Sequence, residues 1–222
     1  MSLPNAPHGR RRLRFGALLL ASCLLGSSSP SLGLATVSYP EPAPVEAVPV
    51  VETKTSEADK AREKEYLVKA AFLLNFIKYT KWPKGSFEKK DSPIVLAVLG
   101  DDPFGELLDK TFKDKLVDGR SIQLNRLSEV PKELDAHLVF VVADLEDKQR
   151  EKLFELVGDD PILLAGEEAD FAVDGGHCNF VLIDGRVKFE INPTRAKESE
   201  LSISSELLKL ARIVPKEEEL DR

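Results

Sequence analysis

Short apolar runs, each too brief for a helix and each bounded by turn residues or a helical stretch, constrain this chain most. Residues 94–99 (IVLAVL), 138–142 (LVFVV) and 162–165 (ILLA) are apolar at nearly every position, and 121–127 (SIQLNRL) alternates. A strand with one wet face alternates apolar with polar residues, so the continuous runs call for burial on both faces. Between them, 103–113 and 147–157 carry helical patterns, and strands alternating with helices build a parallel sheet covered on both sides. Beyond residue 178 the grammar shifts. The runs 179–183 and 187–191 flank Asp184-Gly185, a two-residue hairpin signal.

A helix is expected from about residue 57 to 81, where Leu67, Ala70, Ala71, Leu74 and Ile77 recur at three- and four-residue steps and Phe72, Phe76 and Tyr79 widen the stripe. Trp82-Pro83 ends it, because the residue before proline is pushed out of helical geometry. Asp118-Gly119 introduces the 121–127 strand. A closing helix over 204–213 carries Leu207, Leu208, Leu210 and Ala211 ahead of Pro215. The expected fold is one α/β domain: a doubly wound, flavodoxin-like, mainly parallel sheet with an antiparallel edge hairpin.

The first 35 residues read as an export signal. Arg10, Arg11, Arg12 and Arg14 precede the apolar stretch 15–25, and Gly33-Leu34-Ala35 offers small residues for cleavage. Eleven helical residues span only ~17 Å, short of a bilayer core. Leu20-Ala21-Ser22-Cys23 is an alternative, lipoprotein-type cleavage site that would leave a lipid on Cys23; Leu24 and Leu25 after the cysteine favour the first. Residues 36–57 hold Pro40, Pro42, Pro44 and Pro49 without any period, an extended spacer. The expected organisation is signal 1–35, spacer 36–57, α/β domain 58–214 and acidic tail 215–222, with the mature protein in the periplasm. The signal holds four arginines and no acids, so cleavage takes the net charge from −7 to −11. Phosphate backbones bind through clustered Lys and Arg, so nucleic acid is not an expected partner.

The chemistry-bearing residues are few. Asp101, Asp102 and Asp144 follow strands and Lys188 lies near the last one, the places where response-regulator receivers hold Mg²⁺ and accept phosphate. Asp102, with Pro103 at the first helical position, and Asp144 have simpler readings as helix caps. His8, His137 and His177 lack ligand spacing, and Ser204-Ser205 reads as capping. There is no nucleophile elbow and no glycine-rich phosphate cradle. Asp174-Gly175-Gly176 reads as a turn needing positive φ. Cys178, the one cysteine left after cleavage, sits in an apolar strand and reads as a buried thiol. No catalytic residue, metal site, disulfide or cofactor is expected.

The segments 66–83 (YLVKAAFLLNFIKYTKWP), 98–105 (VLGDDPFG), 118–120, 137–142, 171–180 (FAVDGGHCNF), 187–192 (VKFEIN) and 201–210 (LSISSELLKL) occur in this order. Together they resemble the YfiR family, the DUF4154 domain, over roughly 66–214. The resemblance implies a periplasmic regulator without catalytic activity. It would bind the periplasmic sensor part of an inner-membrane diguanylate cyclase and hold it inactive, with an outer-membrane lipoprotein as a sequestering partner and a homodimer as a further state. A small-ligand sensor feeding a histidine kinase or an outer-membrane receptor is the alternative. The motif carriers, as turns and caps of the fold or as partner loops, are Asp101, Asp102, Pro103, Phe104, Gly105, Gly175, Gly176, Asn179, Glu190 and Asn192. Two departures stand out. Ala136 occupies a position where members often have cysteine, and His177-Cys178 replaces Met-Ile, so disulfide-based redox control does not carry over.

Overall fold

The computed structural model describes residues 56–214. The expected signal, its two cleavage choices, most of the spacer and the acidic tail lie outside these residues. The chain opens with α1 (Glu57–Tyr79), β1 (Thr80–Lys81), β2 (Ile94–Leu99), α2 (Glu106–Phe112), β3 (Leu116–Val117) and β4 (Arg120–Leu127). It continues with β5 (Leu138–Val141), α3 (Asp147–Val157), β6 (Leu163–Gly166), β7 (Cys178–Ile183) and β8 (Arg186–Ile191). It closes with α4 (Pro193–Glu198), β9 (Ser202–Ile203), α5 (Ser205–Leu208) and β10 (Arg212–Ile213).

The main sheet runs β10-β8-β7-β6-β5-β2-β4-β3, and β1 pairs with β9 in a small second sheet. From β4 to β7 all neighbours are parallel, while β8 returns antiparallel to β7 and β3 antiparallel to β4. The first long strand, β2, lies between β4 and β5, so the winding reverses there: a doubly wound, flavodoxin-like order. The β7–β8 hairpin sits near the margin with only the two-residue β10 beyond it. Its turn is Asp184-Gly185, with φ of 51° and 68°, a positive pair that makes a two-residue turn match strand twist.

Register fixes what each face carries. Phe140 pairs with Ala165, Ala165 with Cys178, and Phe180, two residues on, with Phe189. These side chains therefore share a face, and α1 covers it. Phe76 stacks on Phe180 at 5.4 Å and meets Phe189 edge-on at 5.2 Å, while Phe104 bridges Tyr66 (5.1 Å) and Phe140 (5.0 Å). On the other face, Phe171 from the 167–177 loop lies over Gly166 and against Phe154 of α3. The buried side of α1 is Tyr66, Lys69, Ala70, Leu73, Phe76 and Ile77. The stripe read from sequence is thus rotated by about one residue: Leu67 is 50% exposed and Ala71 faces water. Tyr66, Leu73 and Phe76 win the buried side because they bury more surface against the sheet.

Three further expectations are corrected. The 103–113 helix starts only at Glu106, so Asp102 is not its cap and Pro103 not its first residue; Gly105 holds the cap position without a side-chain bond. Asp144 does not cap α3, whose cap position is Glu146. The closing helix stops at Leu208, since the chain turns to add β10 beside β8, pairing Arg212 with Glu190. Tertiary pairing there overrides a local helical pattern. Among the described residues, no helix is long and apolar enough to cross a membrane.

Candidate functional site

The first turns of α1 overhang the carboxyl ends of the parallel strands. Residues 57–64 are all exposed, and burial begins at Tyr66. Ser56 starts this overhang with a capping box, its hydroxyl accepting from the Asp59 N–H and the Asp59 carboxylate accepting from the Ser56 N–H. A helix running past the sheet makes a wall, and clefts of about 430, 370 and 450 Å³ form against it. Tyr66 lines all three.

The cleft of about 430 Å³ lies where the winding reverses, between the ends of β2 and β5. This is where open α/β sheets hold ligands. Arg62, Asp101, Pro103, Glu129, Asp144 and Glu146 are among its lining residues. Its rim is therefore acidic around a single arginine.

Its floor is a buried ion network. Lys69 Nζ lies 2.6 Å from Glu167 Oε2 and also pairs with Glu65; the Lys69 and Glu167 side chains are only 6% and 5% exposed. Glu167 Oε1 accepts from Tyr66 Oη at 3.2 Å and from the Ala143 N–H at 3.3 Å. The Lys69 ammonium sits 4.4 Å from the centre of the Tyr66 ring. Burial, followed by the Glu167 charge, pushes the Tyr66 phenol up to about 12. It therefore stays neutral at any ordinary pH, a donor to Glu167 rather than a proton acceptor.

The ten motif residues fall into two groups. Asp101, Asp102, Pro103, Phe104 and Gly105 belong to the β2–α2 loop, of which Asp101 and Pro103 line the cleft and Phe104 its neighbour. Asp101 is exposed on its rim, and Phe104 is buried against Tyr66. Asp102 accepts from the Phe104 N–H at 2.8 Å and from Arg126 Nε at 2.6 Å, while Arg126 also reaches Gly105 O and Asp109. One arginine of β4 thus clamps the β2–α2 loop. Its neighbours hold its charge by raising an already high pKa, Asp102 first and Asp109 second. With Asp102 tied down and Lys188 out on the hairpin opposite Val181, the receiver-like arrangement suggested by sequence is not assembled.

Gly175, Gly176, Asn179, Glu190 and Asn192 form the second group, under and around the 167–177 loop. Gly175 O accepts from Arg195 Nε at 3.2 Å. Gly176 packs against the Phe171 ring. Asn179 and Glu190 face each other across β7 and β8, and Glu190 pairs with Arg212 at 3.2 Å. Asn179 is buried, and neither atom of its side-chain amide has a bonding partner among the described residues. Asn192 does two tasks: its Oδ1 caps α4 by accepting from the Arg195 N–H at 3.0 Å, and its Nδ2 donates to Ala172 O at 2.9 Å. Asn192→Ala removes both and strands a buried carbonyl, so we expect a loss of about 2–3 kcal/mol, read as a lower urea midpoint. Cys178 is buried, and burial pushes its thiol far above the usual range, which makes it a poor nucleophile.

Sequence reasoning missed Tyr66, Lys69, Glu167 and Arg126. One signal was available: Lys69 falls on the apolar side of α1 once the stripe is set at 66, 70, 73 and 77, and a lysine there needs a buried partner. No local signal exposes Arg126.

A family model described as DUF4154, YfiR/HmsC-like, matches residues 66–212, well over half of the chain. The match begins at Tyr66 and ends at β10, so it spans the cleft and the loop group alike. The chain belongs to this family. No curated protein matches it.

Proposed function

We propose that this member of the YfiR/HmsC-like family is an exported, noncatalytic inhibitor of the periplasmic sensor part of an inner-membrane diguanylate cyclase, lowering cyclic-di-GMP. The family membership carries the reading, since the family points to periplasmic regulation of diguanylate cyclase signalling. The signal-like first 35 residues and the acidic charge balance agree with that destination. Inhibition needs no chemistry, only tighter binding to the inactive state of the partner than to the active one.

The surface we assign to the partner is the Tyr66 end of the sheet. Its clefts are open, and its rim combines Arg62 with Asp101, Asp144 and Glu146 on loops held by a rigid floor. Charges placed this way set specificity and encounter rate. Arg62→Glu and the pair Asp101→Lys, Asp144→Lys should each weaken capture of the cyclase's periplasmic domain at least tenfold without moving the melting temperature. Undiminished capture by both variants would remove this face from the account.

A second reading, a small-ligand sensor feeding a histidine kinase or outer-membrane receptor, draws on the cleft of about 430 Å³ at the winding reversal, a volume in the range of ligand pockets. A stoichiometric ligand copurifying with the protein and raising its melting temperature would favour it. The outer-membrane lipoprotein, the homodimer and the lipid on Cys23 belong to the same proposal as elaborations of the inhibitor.

A further inference from the structure

His137 and His177 make the same pair of bonds at the entrances of two strands. His137 donates its own N–H to Val95 O (2.8 Å), and the Val95 N–H donates back to the ring Nδ1 (3.1 Å). His177 does the same with Leu164, at 2.9 and 3.0 Å. Each imidazole thus serves as an acceptor for a main-chain amide of the adjacent strand, Val95 on β2 and Leu164 on β6.

The far nitrogens fasten other segments. His137 Nε2 lies 3.0 Å from Ser86 O, and His177 Nε2 lies 3.1 Å from Ser199 Oγ. A carbonyl only accepts, so His137 carries its proton on Nε2 and its lone pair on Nδ1. The Leu164 N–H imposes the same tautomer on His177. A second proton on either ring would land on Nδ1, facing an N–H already aimed at it.

The surroundings oppose that second proton. His177 is fully buried, and burial, with the Arg195 charge from α4 adding to it, holds its pKa down at about 3. His137 is lowered by burial first; Arg120 of β4 opposes the proton and Asp135 on its own segment favours it. The ring of His137 stacks on Phe87 at 4.3 Å, with the Arg120 guanidinium 3.9 Å from the Phe87 centre and Trp82 edge-on.

The geometry points to a paired acid release built into the sheet: on gaining a second proton, His137 and His177 each let go of an amide on the neighbouring strand. That loosens the β2–β5 and β6–β7 joints, while the Nε2–H groups keep their hold on Ser86 O and Ser199 Oγ. The inference rests on the hydrogen-bond pattern and stands apart from the cyclase reading. Because both histidines have folded-state pKa values below the free value of 6.5, the unfolded chain takes up protons that the native one refuses. Stability is then complete above about pH 6.5 and falls as the pH drops below it.

The test is urea unfolding of the purified protein at pH 7.5 and 5.5, beside His137→Asn, His177→Asn and the double variant. Asparagine offers an acceptor near the Nδ1 position and cannot be protonated. In the wild type the unfolding constant should rise about tenfold between these pH values from His177 alone. His177→Asn should lose that tenfold, His137→Asn a smaller factor, and the double variant both. Equal pH dependence in wild type and double variant would overturn the proposal. If a variant does not fold, ring NMR of the wild type decides: a native His177 ring still neutral at pH 5 supports the release, and one that protonates near pH 6.5 with the fold intact refutes it.

Discussion

Lys69→Ala should lower the stability of the folded domain by about 3–5 kcal/mol, the largest effect expected of any single charge removal here. The reason is the carboxylate left behind. Glu167 is 5% exposed and draws its compensation from the Lys69 ammonium, the Tyr66 hydroxyl and the Ala143 N–H. Without the ammonium it must either stay charged in a poorly solvated place or take up a proton. The pair as a whole need not stabilise much, since desolvating two charges offsets most of their attraction. Lys69→Met combined with Glu167→Gln should therefore recover much of the loss, a gain visible by thermal melting. A drop of about 10 °C for Lys69→Ala, largely reversed in the double variant, is the expected pattern. An additive double variant would mean that the two residues act independently.

Gly176→Ala is the second large effect, and it comes from crowding. A Cβ there would enter the Phe171 ring and approach Phe171 O at 2.7 Å. The ring cannot retreat, because Gly166 on β6 leaves no room for more than a hydrogen on its other side and Phe154 closes a third. A ring wedged between two glycines has no softer rotamer to adopt. We expect a loss of about 3 kcal/mol, at the upper end for overpacking. Gly119→Ala provides the control: its φ is 79° but the space around it is empty, so the cost should be about 1 kcal/mol from backbone strain alone. Adding Phe171→Leu to Gly176→Ala should relieve the clash in part, whereas an unrelieved double variant would trace the damage to the backbone instead.

Sequence and structure agree where the signal is local. The apolar run 94–99 is β2 to the residue, 147–157 is α3, and Asp184-Gly185 makes the hairpin turn. A buried strand and a positive-φ turn each announce themselves within a few residues. The departures come from contacts made far along the chain. Asp102-Pro103 has every local mark of a helix start, yet Arg126, 24 residues later, claims the aspartate and the helix begins after the loop. Leu207, Leu208, Leu210 and Ala211 suggest one long helix, but Leu210 ends 69% exposed because β10 is drawn to the edge of β8. The two-residue strands β1, β3, β9 and β10 carry no period to read. Gly176 was assigned to backbone conformation, and its stronger reason is the Phe171 ring; positive φ belongs to Gly175, at 135°. Of the motif residues, Asp101 and Pro103 line the cleft at the winding reversal and Phe104 its neighbour, but Tyr66 at the centre was not singled out. An aromatic that is buried and also walls three clefts looks like any core residue in sequence.

The functional account joins a family membership to a surface. The same α1 that seals the aromatic core overhangs the strand ends, and the Lys69–Glu167 pair locks it there, so a partner docking as proposed would meet a preformed face. Preorganisation of this kind strengthens binding by sparing the ordering cost. Measuring cyclic-di-GMP in cells lacking the gene tests the central claim most directly. The account predicts a rise over the parent strain, reversed by the wild-type gene and left high by Arg62→Glu. Levels that stay at the parental value across several growth conditions would contradict it.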